Sequence, residues 1–266
     1  MIRSTFQLTG GIGPYRERLL WSQGVRTWDD LVSRGGGLSS RLDGRLLEAV
    51  ARARRALEAG DAGALASMMP ARERWRLYPS FAEEAGFLDI ETDGGEAVTA
   101  VGVLDRNGPR VFLAGRDLDD FPEAIAGWKL LVTFNGASFD VPVLKRFFPR
   151  FRPPPVHVDL RQVWGRAGHR GGLKLLEELE GIGRPPHLAG LGGWDAVILW
   201  RRHLDGDRDA LRLLAEYNLY DAVNLRALMG LGYNRLVERL GLPGKPIVVS
   251  HRGDVLYDLT RQLLAI

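Results

Sequence analysis

Two acidic residues stand two positions apart in an otherwise apolar segment. Asp89 and Glu91 alternate with Leu88 and Ile90 in the run from Phe87 to Thr92. Because successive side chains of a β-strand point to opposite faces, both carboxylates of such a strand share one face. Two adjacent negative charges on a buried strand repel each other and are costly to remove from water, and a divalent cation between them is the simplest remedy. The alternative is an edge strand on which both acids are solvated.

A third acid, Asp140, lies near the start of a predicted helix, directly after the turn that leaves a predicted strand. An isolated aspartate at this position could simply cap the helix or interact favourably with the helix dipole. In an open α/β sheet, however, functional groups gather where the chain leaves the carboxyl ends of the strands. Asp140 is therefore a candidate catalytic acid as well as a candidate cap.

Tyr217 and Asp221 lie four residues apart in a long helical segment, so they share one helix face about one turn apart. A tyrosine with apolar neighbours usually belongs to a core. An aspartate in the middle of an apolar helix is harder to dismiss, because buried acids are rare unless they are paired or bound to metal.

The stretch from Lys145 to Lys174 is rich in arginine and aromatic residues, and Asp159 is its one acid. This composition fits a groove that follows a nucleic-acid strand, with aromatic rings as stacking platforms. A solvated basic face is the alternative, in which Phe147 and Phe148 belong to the core. Asp159 itself could be an additional metal ligand or the cap of the next helix. The candidate nucleic-acid-binding residues are Asn135, Phe139, Arg146, Arg161, Arg166, Arg170 and Lys174.

The first 80 residues, which precede all of these candidates, predict helices only. Ser39 or Ser40 is the expected N-cap of the longest. The turn from Leu8 to Gly13 resembles that of a helix-hairpin-helix element, whose backbone N–H groups can hold a phosphate. It could equally serve only for packing. The predicted helices span residues 15–23, 25–32, 41–59 and 62–69.

From residue 86 onward, short apolar or alternating runs are separated by turn residues, which indicates strands. Three consecutive antiparallel strands, followed by helix, strand, helix and strand, predict an α/β fold with a mixed sheet flanked by helices. We expect a helical N-terminal region (1–80), the α/β domain (81–231) and a C-terminal extension packing on the core (232–266). The predicted strands span 86–91, 97–104, 111–113, 130–134 and 156–158, and the predicted helices 117–127, 141–148, most of 159–231, and 254–264.

Composition restricts the classes of site. The 266 residues include no cysteine, which excludes disulfides, thiolate catalysis and cysteine-bound metal centres. All but four of the 36 basic residues are arginine, which suits phosphate contacts, although a coding bias would give the same composition. No apolar run has the length of a signal peptide or a membrane span, so we expect an intracellular, cytoplasmic protein without membrane contact.

Three segments together resemble the exonuclease motifs of the DEDD (DnaQ-like) superfamily: Asp89–Glu91, Phe134–Pro142 and Tyr217–Asp221. They follow that superfamily's order and spacing, and the tyrosine four residues before the last aspartate matches the tyrosine variant of the third motif. Over residues 83–231 the chain is most similar to the YprB-type ribonuclease H-like domain, a predicted exonuclease. It is more distantly similar to the proofreading domains of family-B polymerases.

The resemblance implies a ribonuclease H-like fold and a 3′-to-5′ exonuclease acting on single-stranded DNA or RNA. It implies that Asp89, Glu91, Asp140 and Asp221 bind two Mg²⁺ or Mn²⁺ ions, and that Tyr217 orients or deprotonates the attacking water. A catalytically silent nucleic-acid-binding module and a structure-specific endonuclease are the alternatives. No protein partner can be identified from the sequence.

Overall fold

The computed structural model describes residues 1–249, 255–264 and 266. The strands are β1 (Ala85–Thr92), β2 (Val98–Asp105), β3 (Gly108–Leu113), β4 (Leu130–Thr133) and β5 (Val156–Asp159). The α-helices are α1 (Pro14–Ser22), α2 (Trp28–Arg34), α3 (Ser40–Glu58), α4 (Ala62–Met68), α5 (Tyr78–Phe81), α6 (Phe121–Ala124), α7 (Asp140–Phe147), α8 (Leu160–Ala167), α9 (Leu173–Glu180), α10 (Gly193–Leu204), α11 (Arg208–Arg239) and α12 (Thr260–Leu264). Among these residues, no helix combines the length and apolar content that a membrane span requires.

The five strands form one mixed sheet in the order β3-β2-β1-β4-β5. β1 pairs antiparallel with β2, which pairs antiparallel with β3, whereas β1, β4 and β5 run parallel to one another. This arrangement confirms the predicted fold class, a mixed sheet of three antiparallel strands followed by parallel ones. It also makes β1 a central strand, so the alternative of solvated acids on an edge strand is wrong.

The side chains of β1 divide between the two faces of the sheet as the alternation predicts. Leu88 and Ile90 belong to the apolar cluster that contains Phe121 and Leu144, from α6 and α7. Phe87 belongs to the larger cluster on the other face, which includes buried residues of α11. Asp89 and Glu91 therefore project toward α11.

Helix α11 is the longest element and crosses β1 and β2. Its 32 residues correspond to about 48 Å at 1.5 Å per residue. It continues beyond residue 231, where the sequence predicted the helical segment to end. Gly232 lies inside the helix. A Cβ atom at this position would come within 3.0 Å of Val163 and 3.1 Å of the Trp164 indole nitrogen on α8. The glycine permits close packing of the two helices.

The N-terminal helices match the prediction, with different caps. Thr27 and Asp30 form a capping box at α2. Ser39 occupies the N-cap position of α3, but its side chain makes no capping hydrogen bond. Asp43 accepts the backbone N–H groups of Gly37 and Leu38 instead, which fixes the chain before the helix.

A buried ionic network joins the N-terminal region to the sheet domain. The Arg76 guanidinium donates to both carboxylate oxygens of Glu17 on α1, at 2.9 and 3.0 Å, and its Nε lies 2.9 Å from Glu73. Glu73 is also paired with Arg166 on α8 at 3.0 Å. Glu17, Glu73 and Arg76 are each at most 2 % exposed. One apolar cluster contains buried side chains from both regions, so the two share a core.

Residues that follow α11 contact this helix. Asn234 of α11 accepts the N–H of Ile247 at 2.7 Å and donates to its carbonyl at 2.8 Å, so the apolar run 246–249 lies beside this helix. The last helix begins at Thr260 rather than at Asp254, which is outside the described residues. The helix predicted over 117–127 is a 3-10 turn, Leu118–Asp120, followed by the short α6.

Candidate active site

Carboxylates from two elements meet above the centre of the sheet. Oxygen atoms of Asp89 and Glu91 on β1 and of Asp221 on α11 all lie within 4.8 Å of one another. Glu91 and Asp221 are buried. The sequence-predicted pairing of the strand acids with the helix acid is therefore present in the fold.

A glycine on the neighbouring strand allows this approach. Gly102 of β2 is the register partner of Asp89. A Cβ atom at Gly102 would lie 2.6 Å from Asn218 Oδ1 and 2.8 Å from its backbone oxygen, so only glycine lets α11 come this close. Asn218 in turn donates to the Asp89 carboxylate at 2.9 Å and to the Asp89 carbonyl at 3.1 Å. Asn218 lies within the Tyr217–Asp221 segment, where the sequence alone assigns it no role.

Asp140 is a further buried carboxylate, near this group but outside the set whose oxygens lie within 4.8 Å of one another. It is the first residue of α7 and is 3 % exposed, and its Oδ1 has no hydrogen-bond partner among the described residues. Burial, followed by the nearby charges of Asp159 and Asp221, raises the pKa of Asp140 to about 7. The N-cap residue of α7 is Phe139, so the candidate role of Asp140 as the N-cap is wrong.

The cluster carries more negative charge than its surroundings compensate. Burial is the largest cause that raises the pKa of Asp89 and of Glu91 well above the usual range, and the neighbouring carboxylates add to it. For Glu91, the Lys174 ammonium opposes this shift. Hard, closely spaced carboxylate oxygens with an unsatisfied buried oxygen beside them are the donor set that Mg²⁺ and Mn²⁺ prefer. The residues present thus fit a divalent-metal site.

An arginine that no sequence pattern marks contacts the carboxylate group. The Arg184 guanidinium lies 2.5 Å from Asp221 Oδ1 and donates to both oxygens of Glu177 on α9 at 2.6 Å. The side chain of Glu177 is 3 % exposed, and Asn224 of α11 donates to it at 3.1 Å. The adjacent carboxylates raise the pKa of Arg184, although burial alone would lower it. Glu177 lies on the buried side of the amphipathic helix α9, and this is the sequence feature that could have pointed to the pair of Glu177 and Arg184.

Tyr217 lies beside the carboxylates and contacts a lysine. Lys174 donates to the Tyr217 hydroxyl at 2.8 Å, and its ammonium is 4.3 Å from the ring centroid. Burial, the charges of the carboxylates and a hydrogen bond to Asp221 all raise the pKa of Tyr217. Lys174, which was predicted to bind nucleic acid, thus lies against Tyr217 and near Glu91.

Asp159 has a defined structural role. Its carboxylate caps α8 by accepting the N–H of Arg161 at 3.0 Å, and it accepts the N–H groups of Asn135 and Ala137 at 2.9 and 3.1 Å. Asn135 has a positive φ of 65°, which these contacts hold in place. Asp159 therefore secures the turn before Asp140, as a cap rather than a member of the carboxylate group.

Four of the predicted nucleic-acid-binding residues lie on an accessible surface near this turn. A pocket of about 720 Å³ is lined by Asn135, Arg161 and Arg170, and the Arg161 guanidinium donates to Asn135 at 2.8 Å. Phe139, directly before Asp140, is 44 % exposed. Arg146 is also exposed, on α7, outside this pocket.

Other parts of that prediction need correction. Arg166 is engaged by Glu73 and by the Arg72 carbonyl, so it faces the N-terminal region. Phe148, Phe151 and Trp164 are at most 5 % exposed and belong to the two apolar clusters. Composition suggested stacking platforms, but these rings are core residues because their helix faces and loops pack against the sheet.

The chain was compared with known protein families, curated proteins and solved structures. Neither the curated proteins nor the solved structures gave a match to this chain. The family model described as RNase_H superfamily matches residues 86–233, which include all four carboxylates, Tyr217, Lys174 and Arg184. This match covers more than half of the 266 residues. The chain therefore belongs to the RNase H superfamily.

Proposed function

We propose that the chain is a metal-dependent 3′-to-5′ exonuclease of the DEDD type that hydrolyses single-stranded DNA or RNA. Membership of the RNase H superfamily indicates a nuclease. The observation that carries the finer proposal is the carboxylate group Asp89, Glu91 and Asp221 within 4.8 Å, with buried Asp140 near enough for its charge to raise the pKa of Asp89 and Glu91. These are the four acids of the three motifs.

Asp89, Glu91, Asp140 and Asp221 would hold two Mg²⁺ or Mn²⁺ ions. When bound, such ions supply Lewis acidity that lowers the pKa of a water and stabilises the leaving oxygen of a phosphodiester. Asn218 fixes the rotamer of Asp89 through its 2.9 Å hydrogen bond, and Arg184 fixes that of Asp221. Both contacts hold ligand oxygens in place before substrate arrives.

Tyr217 and Lys174 would act on the attacking water and the substrate phosphate. The raised pKa of Tyr217 keeps its hydroxyl protonated, which favours orienting the water over deprotonating it. Lys174 holds that hydroxyl by donating to it at 2.8 Å. Its ammonium also supplies a positive charge near the place where phosphate charge develops during hydrolysis.

The 3′-terminal nucleotides would lie across the turn before Asp140. Phe139 offers an exposed ring for base stacking, and Arg161 and Arg170 line the adjacent pocket. Arg146 on α7 would contact the strand backbone further along.

The test is digestion of 5′-labelled single-stranded DNA and an equivalent RNA with Mn²⁺ or Mg²⁺, against EDTA. Wild type should give a ladder that shortens from the 3′ end, and Asp140→Asn and Asp89→Ala should abolish it. Asp209→Asn, an exposed aspartate on α11, is the matched control and should retain activity. Binding without cleavage would favour the silent binding module. Cuts within a structured substrate, with no shortening from the end, would favour the endonuclease.

A further inference from the structure

Helix α3 carries a stripe of arginines that the catalytic site does not use. Arg41, Arg45, Arg52 and Arg55 recur at spacings of four, seven and three residues, which places them within an arc of about 80° on one side of a helix with 3.6 residues per turn. All four are exposed. The stripe is about 21 Å long at 1.5 Å per residue. We call these four residues the α3 stripe.

The α3 stripe carries an excess of positive charge. Within the part of the chain that the structure describes, no acidic side chain pairs with any of the four guanidinium groups. Glu48 is the one acid on the same side of the helix. Arg54, which also belongs to α3, lies on a different side of the helix and pairs with Asp29 of α2 at 2.5 Å. The structural ion pair of this helix is therefore separate from the α3 stripe.

The surface beside the stripe is concave. A pocket of about 600 Å³ is lined by Thr9, Arg45, Glu48, Ala51, Arg52 and Arg55. The turn from Leu8 to Gly13 borders this pocket, because a Cβ atom at Gly10 would lie 3.5 Å from the Arg45 guanidinium. Small residues on the turn and Ala51 on the helix leave the arginine head groups open to an extended ligand.

The geometry points to the α3 stripe as a second nucleic-acid-binding surface, which holds the phosphodiester backbone of the substrate strand away from the catalytic carboxylates. Planar guanidinium groups bind phosphate through several N–H donors. One strand of a B-form duplex carries one charge per about 3.4 Å of helix axis, so about six of its phosphates would span the stripe, and a more extended single strand would place fewer there. The identity of the ligand rests on the proposed function, whereas the surface itself does not include any catalytic residue.

The test is a salt titration of oligonucleotide affinity in EDTA, where no turnover occurs. Fluorescence anisotropy with a labelled single strand is compared between wild type and the triple variant Arg45→Gln, Arg52→Gln and Arg55→Gln. Loss of three phosphate contacts should lower affinity on the order of 100-fold at 0.1 M salt and reduce the slope of log K against log salt by about 2. A duplex of the same length shows which form the stripe prefers.

A matched control removes the same charge elsewhere. Arg106 in the β2–β3 turn and Arg208 and Arg212 on α11 are exposed, and their triple glutamine variant should change affinity less than threefold. If both triple variants lose affinity equally, net charge explains the binding and the stripe proposal is overturned. It is also overturned if the stripe variant binds like wild type.

A small substrate separates this proposal from the proposed function. Hydrolysis of the p-nitrophenyl ester of thymidine monophosphate with Mn²⁺ needs only the catalytic site, so the stripe variant should cleave it at the wild-type rate. If wild type does not cleave the ester but the stripe variant still loses oligonucleotide affinity, the surface stands and the nuclease proposal fails. If wild type cleaves the ester and the stripe variant keeps wild-type oligonucleotide affinity, the nuclease proposal stands and the surface proposal fails.

Discussion

Replacing Asp140 by asparagine should stabilise the metal-free protein while abolishing hydrolysis. In the fold, the Asp140 carboxylate is 3 % exposed and its Oδ1 lacks a partner, so ionisation is unfavourable. An asparagine has the same shape and is neutral at every pH. The substitution therefore removes a buried charge without creating a cavity.

The magnitude follows from the pKa of Asp140. Burial raises it from 3.8 to about 7, and each unit corresponds to about 1.4 kcal/mol, so the ionised form destabilises the native state by about 4 kcal/mol. The asparagine N–H group would itself lack a partner, which costs about 1–3 kcal/mol. We expect the variant to be about 1–3 kcal/mol more stable than wild type near pH 8 in EDTA.

The sign of the pH dependence follows from linkage. Because the native pKa of Asp140 is above the unfolded value, the stability it contributes is complete below 3.8 and is lost as pH rises toward about 7. The advantage of Asp140→Asn should therefore be largest above about pH 7 and shrink by about 2–3 kcal/mol on going down to pH 5.

Urea unfolding followed by circular dichroism, at pH 5 to 8 in EDTA and again with Mn²⁺, measures both quantities. Mn²⁺ should stabilise wild type by about 3 kcal/mol at a concentration 100-fold above its dissociation constant, and the variant by less. An Asp140→Asn protein that is less stable than wild type at every pH, or an advantage that does not depend on pH, would refute this reasoning.

Three further experiments, two of them with a comparison variant, test separate parts of the structure. Gly102→Ala should lower the stability measured in urea by about 1–3 kcal/mol and reduce turnover, because the added methyl group pushes α11 off the sheet. Gly44→Ala, at an open position inside α3, is the comparison and should raise stability by about 1 kcal/mol. Phe139→Ala should weaken binding of a single strand in anisotropy with an unchanged melting temperature, whereas Phe148→Ala should cost about 3–5 kcal/mol of stability. Arg184→Met should destabilise the protein by about 3–5 kcal/mol in EDTA, because two buried carboxylates lose their partner. The loss of stability should be smaller with Mn²⁺. An equal loss in EDTA and in Mn²⁺ would contradict the role given to Arg184.

The sequence predicted best what depends on local periodicity. The alternation of β1 separates Leu88 from Asp89 in the fold, and the four-residue spacing of Tyr217 and Asp221 places both on the face of α11 that meets the sheet. The order of strands and helices was sufficient for the mixed sheet. Each of these features is set by neighbours within a few residues.

Features that depend on tertiary placement could not be predicted. Arg184 lies in a loop, and its contact with Asp221 exists because α9 and α11 pack side by side. Trp164 and Phe151 lie in a basic, arginine-rich stretch, so composition favoured an exposed role, yet both are buried. The helical segment was predicted to end at residue 231, and the close packing on α8 that requires a glycine at position 232 depends on tertiary structure.

The buried network of Glu17, Glu73, Arg76 and Arg166 has a consequence for how the molecule unfolds. Opening the N-terminal region alone would leave Arg166 without its partner and expose the shared apolar cluster, so the two regions should melt in one cooperative transition. Occupancy is then thermodynamically linked across the molecule. A strand bound on α3 would raise the temperature at which the carboxylate centre unfolds, and a metal ion bound at that centre would raise the temperature at which α3 unfolds.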